Sequence, residues 1–417
     1  MPNLSGHVPL HMHSPVHDSR YSWFRLVITL IIAVFANTGM WAVITIMPEL
    51  EAEFGTTRQA TSLPFTLNML GFAIGNLVVG RMIDKFGVTL SVSVAAIFSA
   101  TGYLLSSLSN DFYLLTCLHL ILGFGTAAGF GPLISDISHW FLRHRGIAVA
   151  LIASGNYLAG TLWPLFLSDV LINHGWRDAY QILSLLSVIT IIPLAFLLRR
   201  KVPADSQKIA GQLAQQKSAS LNLSPKLLII LLGIAGISCC VAMSMPQVHI
   251  VSYCVGLGFG PAVGVQMLSV MLFGGVISRI VFGFIADRLG GIQTVLLGAC
   301  LQCIALVMYI PFDGQTSLFI VSLIFGLSQG GIVPSYAVVV REYLPPQTAG
   351  TQVGFVMMMT ILGMALGGWM SGWVYDLTGS YQMAFINGIG WNALNLLIMF
   401  WLLSRHLGTK TKLQTGR

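Results

Sequence analysis

One arginine stands where an arginine is costly. Arg279 interrupts an apolar run that opens near residue 262, with no acid within a helical turn of it. Burying such a charge in a membrane costs ~2.5 to 3.5 kcal/mol on insertion scales, so it should face a bundle interior and find a partner there. A carboxylate carried by a substrate would supply that partner through two parallel hydrogen bonds to the planar fork. The competing reading is an arginine that pairs with backbone carbonyls or snorkels to a nearby membrane surface. Two histidines in apolar runs, His249 and His119, are the side chains able to change charge near neutrality. For each, a ring hydrogen-bonded between helices is the alternative. Asn37, Thr38, Asn68, Asn156, Gln329, Tyr336 and Asn387 also interrupt apolar runs, and hydrogen-bonded helix glue is the base expectation for them.

Other chemistries find little support. The sequence carries no HExxH, P-loop or nucleophile elbow, so an intramembrane enzyme or an ATP-driven pump is not indicated. The six cysteines all lie in apolar runs, and Cys300 and Cys303, spaced C-x-x-C, have no second pair. They read as small packing residues, with neither a disulfide framework nor a zinc site. His7, His11, His13 and His17 have a spacing compatible with a transition metal, yet without acids or cysteines beside them they read as a polar tail. No metal and no cofactor are expected.

Composition fixes the setting in which these residues must act. Lys+Arg and Asp+Glu number 21 and 14 in 417 residues, 8% charged in all, against roughly 25% in an ordinary soluble domain. With 55% hydrophobic residues, most of the exterior must face lipid, which disfavours a soluble enzyme, a nucleic-acid binder and a disordered scaffold. Runs of about 20 apolar residues, each long enough to cross ~30 Å of hydrocarbon, start near residues 24, 60, 88, 112, 146, 180, 226, 262, 291, 316, 350 and 383. The fold class is therefore all-α, with twelve transmembrane helices. The net charge of +7 is unevenly placed: with the N terminus inside, 18 of 21 basic residues fall on the cytoplasmic side, leaving Arg58 and Arg177 outside and Arg279 within a helix. Both termini are thus expected in the cytoplasm.

A polar stretch rich in Lys, Gln, Ser and Ala separates six helices from six. The expected divisions are a tail at 1–23, a first bundle at 24–200, a linker at 201–225, a second bundle at 226–404 and a tail at 405–417. Sliding the halves by 203 residues superposes Gly55 on Gly258, Gly71 on Gly274, Gly80 on Gly283, Gly87 on Gly290, Gly123 on Gly326, Gly160 on Gly363 and Asp84 on Asp287. Tandem duplication accounts for this better than glycine abundance does. Two parallel six-helix repeats around a central site form a transporter design in which one half rocks against the other.

Two octamers at that offset carry a family resemblance. Gly80-Arg81-Met82-Ile83-Asp84-Lys85-Phe86-Gly87 and Gly283-Phe284-Ile285-Ala286-Asp287-Arg288-Leu289-Gly290 resemble the loop signature of the major facilitator superfamily, although the first is followed by Val88 and Thr89 where the family has basic residues. In each, the first glycine permits close helix approach, the acid can cap a neighbouring helix end, and the last glycine permits φ > 0. Trp140-Phe141-Leu142-Arg143-His144-Arg145-Gly146-Ile147-Ala148, Gly175-Trp176-Arg177-Asp178-Ala179-Tyr180, His249-Ile250-Val251-Ser252-Tyr253 and Asp376-Leu377-Thr378-Gly379-Ser380-Tyr381 resemble monocarboxylate porters and bacterial oxalate/formate exchangers. The likeness spans residues 24 to 404.

The resemblance implies a secondary transporter of a small organic anion, a monocarboxylate above all, by proton symport or anion exchange. Arg279 with Gly283 matches the family's Arg-x-x-x-Gly in the eighth helix and would hold the carboxylate. His249, Asn37, Tyr157, Tyr253 and Tyr336 are the expected companions on cavity-lining helices. His249 and His119 are the coupling candidates, because the acid and lysine of animal porters are replaced here by Gly275 and Trp41. The expected partners are the anion, protons or a counter-anion, and the lipid bilayer; no nucleic acid is expected, and the protein is read as a monomer of a bacterial inner membrane. A transporter-like sensor of the same anion and an efflux pump for other compounds are the rival readings.

Overall fold

The computed structural model describes residues 17–56, 63–201, 211–212, 214–215, 221 and 223–414. The polar tail through residue 16, with His7, His11 and His13, and most of the 201–225 linker lie outside the described residues.

Among the described residues there are helices and turns and no strands. The first crossing is Arg20–Ala36 continued by Thr38–Phe54, the second Leu63–Phe86, the third Val88–Leu108, and the fourth Phe112–Thr126 continued by Gly131–Ser138. Helix Arg145–Leu186 folds over at Gly175, whose φ of 83° suits glycine, so it supplies both the fifth crossing and the start of the sixth, which runs on through Ile192–Leu197. Pro225–Gly256, Pro261–Leu289 and Gly291–Met308 are the seventh to ninth, Gln315–Gln329 continued by Ile332–Tyr343 the tenth, and Ala349–Thr378 and Tyr381–Gln414 the last two. Eleven of these stretches are long and apolar enough to cross a membrane. The fifth, residues 145–174, reaches roughly 45 Å at 1.5 Å per residue, also enough to cross.

Helix starts are capped by side chains chosen for it: Ser19, Asp111 and Ser224 accept from the backbone nitrogens of Ser22, Leu114 and Leu227. Large apolar side chains such as Phe166, Phe273, Phe284, Trp369, Leu397 and Phe400 point outward, as a lipid-facing surface requires. Within the first half the second and fourth spans close on each other at Gly71 and Gly123, where any Cβ would strike the backbone oxygens of Leu120 and Asn68. Their repeat counterparts do the same service in the second half: a Cβ at Gly326 would strike Met271 O, and one at Gly274 would press on Leu323 O.

Three spans break midway, the first at Asn37, the fourth across Ala127–Gly129 and the tenth at Gly330 and Gly331. The breaks turn backbone carbonyls away from helical pairing.

One face of the bundle, called here the motif face, gathers the start of the first span, the end of the sixth, the 4–5 and 10–11 turns and the end of the twelfth. Asp18 N donates to Trp140 O, Arg25 Nη1 to Leu198 O, and Arg405 Nη1 to Leu221 O, while Tyr343 and His406 meet ring edge to ring face.

Candidate functional site

Arg279 lies ten residues before the end of the eighth span and is 5% exposed. Its Nε donates to Gly330 O at the break of the tenth span at 3.2 Å, and its Nη1 donates to Ala153 O of the fifth. The guanidinium carbon stands 3.5 Å from the ring centroid of Tyr157, also on the fifth span. One turn before Arg279, a Cβ on Gly275 would come within 3.1 Å of Tyr157 Cε2 and 3.6 Å of Gln329 Nε2. Arg279 therefore bridges the two halves and donates to backbone carbonyls of broken or closely packed helices. No carboxylate of the described residues pairs with it.

Of the expected companions, only Tyr157 meets Arg279. His249 lies 24 residues beyond Pro225 on a helix that starts at the motif face, which places it on the order of 20 Å from Arg279 along the bundle axis. There His249 Nε2 donates to Gly368 O at 2.8 Å and the ring rests 5.7 Å from that of Tyr381. Tyr253 belongs to the same aromatic nest, edge-on to Tyr381 and Phe385. His249 and Tyr253 thus lie apart from Arg279 along the bundle axis, at a height set by the length of the helices that carry them. Tyr336 is fully buried and donates to Asn395 Oδ1 of the twelfth span at 2.7 Å, within its own half. Asn37 ties the breaks of the first and fourth spans together, its amide donating to Ala33 O and Gly129 O and accepting from Asn156 at 3.3 Å. His119 is fully buried, with Nδ1 donating to Leu115 O and Nε2 3.0 Å from the Tyr180 hydroxyl. Helix bracing occupies both Asn37 and His119.

The two loop octamers meet the opposite halves. Asp84 accepts from the nitrogens of Gly350 and Thr351 and from the Thr351 hydroxyl, each at 2.7 Å. Asp287 accepts from Gly146 N and, at 3.1 Å, from Ile147 N. Each carboxylate thus caps the start of a helix in the other half, the eleventh span and the fifth, where the backbone dipole favours an anion. Gly80 packs on Gly350 and Gly283 on Gly146, leaving no room for a Cβ. Gly87 and Gly290 take φ of 86° and 88° at the turns, and Lys85 and Arg288 stay exposed. Arg145 Nη1 donating to Arg341 O and Arg341 Nη2 donating to His139 complete this contact. Hydrogen bonds join the halves at the motif face and at Arg279.

Sequence reasoning missed three things here. Arg279 is not the only buried basic side chain: Arg25 is 1% exposed and forks onto Asp136 with bonds of 2.8 to 3.1 Å, while stacking on Trp140. Its place near the start of a span hid it among loop charges. Arg341 is likewise buried, with Nε and Nη1 unpaired among the described residues. Gln329, expected to be glue, is fully buried with neither its amide oxygen nor its nitrogen hydrogen-bonded; two glycines after it were the one available signal of a break there.

The sequence profile of the Major Facilitator Superfamily matches residues 29–359 and 267–416. Bovine (Bos taurus) Monocarboxylate transporter 13 is 28% identical over 330 residues, covering 76% of this chain and 75% of its own length. Human (Homo sapiens) Monocarboxylate transporter 11 is 28% identical over 360 residues, 81% of this chain and 74% of that protein. Among solved structures, the transporter FucP in the outward conformation superposes with a TM-score of 0.69 at 16% identity, covering 91% of this chain and 99% of that one.

Proposed function

Because this chain belongs to the major facilitator superfamily, and is thus a membrane transporter rather than an enzyme, we propose that it carries a small organic monocarboxylate by alternating access, with protons or in exchange for another anion. The observation behind this reading is Arg279: a buried guanidinium that bridges the halves and is matched by carbonyls but by no carboxylate. A carbonyl offers a partial charge and one bond, whereas a carboxylate offers a full charge and two, so an incoming anion competes effectively for the fork. Taking over the Ala153 bond would also remove one of the ties between the halves, which links binding to the rocking step. The relatives named as monocarboxylate transporters support the same class of cargo.

With the basic motif face in the cytoplasm, the closed contact there corresponds to an outward-facing state. Protons or a counter-anion complete the cycle, and His249, toward the end of the seventh span away from the motif face, is the coupling candidate. The short loops are the ground for placing the protein in a bacterial inner membrane. Counterflow into liposomes holding the purified protein and a panel of radiolabelled acids tests the reading. Exchange of a monocarboxylate supports it; binding without flux would make the protein a sensor, and flux restricted to neutral or cationic compounds would make it an efflux pump.

A further inference from the structure

Gln329 closes the first limb of the tenth span, and Gly330 and Gly331 after it let that span break against the eighth. Gly330 sits so close to Gly275 that a Cβ on it would strike the Gly275 carbonyl. The open Cβ position of Gly275 in turn lies between Tyr157 Cε2 and Gln329 Nε2, and Arg279, one turn further on, donates to the carbonyl of the residue next to Gln329. A neutral amide and an aromatic ring from two spans and both halves therefore flank one glycine, and the guanidinium one turn on meets the same ring and the residue next to the amide.

A buried amide is ordinarily hydrogen-bonded, because stripping it of water without replacement is costly. Gln329 is 0% exposed, and both its oxygen and its nitrogen lack a partner among the described residues. A donor and an acceptor left open side by side, next to the group that would anchor a carboxylate, are suited to a second polar group of the same ligand. We propose that Gln329 is a specificity-determining residue that selects carboxylates bearing a hydroxyl beside the carboxyl group. This rests on the reading of Arg279 as the carboxylate anchor. A hydroxyl meets both needs of the amide, accepting from Nε2 and donating to Oε1; a keto oxygen meets only the first, and a methylene meets neither. Sites built to hydrogen-bond a substrate hydroxyl discriminate against the analogue lacking it far more strongly than apolar pockets discriminate by size.

The test uses three acids of one carbon skeleton, propionate, 2-oxopropionate and 2-hydroxypropionate, titrated calorimetrically into the full-length protein in lipid nanodiscs. The wild type should bind 2-hydroxypropionate at least ~tenfold more tightly than propionate, with 2-oxopropionate between them. Gln329→Met, close in size and apolar, should bring the three within ~threefold of each other and keep or raise the melting temperature, since it removes an unpaired amide. Gln329→Asn, which keeps the amide one methylene short, should retain part of the preference. Equal binding of the three acids to wild type, or an undiminished preference in Gln329→Met, overturns the assignment while leaving the carboxylate anchor intact. A lower melting temperature with equal losses for all three makes Gln329 structural and also overturns it. If no acid binds the wild type, the monocarboxylate reading itself fails.

Discussion

Arg279 and Tyr157 meet across the boundary between the halves, the guanidinium carbon over the ring at 3.5 Å from its centroid. The same guanidinium donates to the carbonyls of Gly330 and Ala153. Lysine keeps the charge and can snorkel, yet it has no planar face to stack and no fork. Arg279→Lys should insert and express normally and lose at least ~tenfold in carboxylate affinity, about 1.4 kcal/mol. Binding should be measured beside counterflow, and wild-type values in both would remove Arg279 from the site.

Asp84 and Asp287 hold the motif face shut through charge-assisted bonds to backbone nitrogens. Asp84→Asn keeps the shape and loses the charge, at on the order of 1 to 3 kcal/mol for bonds of this kind. Amide hydrogen exchange followed by mass spectrometry should speed up by at least ~tenfold at Gly350 and Thr351. Asp287→Asn should do the same at Gly146 and Ile147. Unchanged exchange at the uncapped pair would show that closure depends on packing alone.

The Arg25–Asp136 pair makes a different demand. Arg25→Met leaves Asp136 buried without its cation, which costs ~3 to 5 kcal/mol where such pairs are broken from one side. Arg25→Met combined with Asp136→Leu removes both charges and should recover most of that loss. Thermal unfolding in detergent separates the cases; a double variant no better than the single would mean the arginine's bonds to Leu198 O and Arg200 O matter more.

The N-terminal turn should release in acid. Burial, reinforced by the Arg145 guanidinium, pushes the His17 imidazole down to about 4, with Arg341 adding to the effect and Asp18 and the His139 backbone opposing it. Burial pushes Asp18 up, but the nitrogens of Arg143, His144 and Leu142 and the His144 ring outweigh that and hold it below its usual value. Since the folded pKa of His17 lies below the unfolded one, the undocked state binds more protons between pH 6.5 and about 4. Docking is therefore strongest above pH 6.5 and weakens as the pH falls toward 4. Limited proteolysis near residue 18 should accelerate over that window, and His17→Phe should abolish the acceleration; a wild-type profile in that variant would assign the transition to another group.

What was legible in the sequence was whatever repeats or is dictated by the solvent. Apolar length gave the spans, because lipid leaves no other option, and the 203-residue offset exposed the paired glycines because close helix contacts tolerate nothing larger. Arg279 stood out for the cost of placing it there, and Tyr157 joined it on a helix expected to line the cavity. Height along the axis was not legible: His249 and Arg279 lie on neighbouring spans of one half, and only the helix bounds separate them. Nor was the state of an individual amide. Asn37 and Gln329 look alike in an apolar run, yet the break at Gly129 provides a carbonyl for the first and the glycines at 330 and 331 provide nothing for the second.

The twin caps at the motif face also bear on how the chain arose. Gly350 and Thr351, which Asp84 caps, are the repeat counterparts of Ile147 and Ala148, and Asp287, the counterpart of Asp84, caps Gly146 and Ile147. Within one residue, what the first half does to the second the second does to the first. That is the reciprocity of a two-fold symmetric dimer, in which one surface is its own complement. A single six-helix ancestor pairing with a copy of itself would have formed both caps from one loop sequence, before any fusion joined the halves.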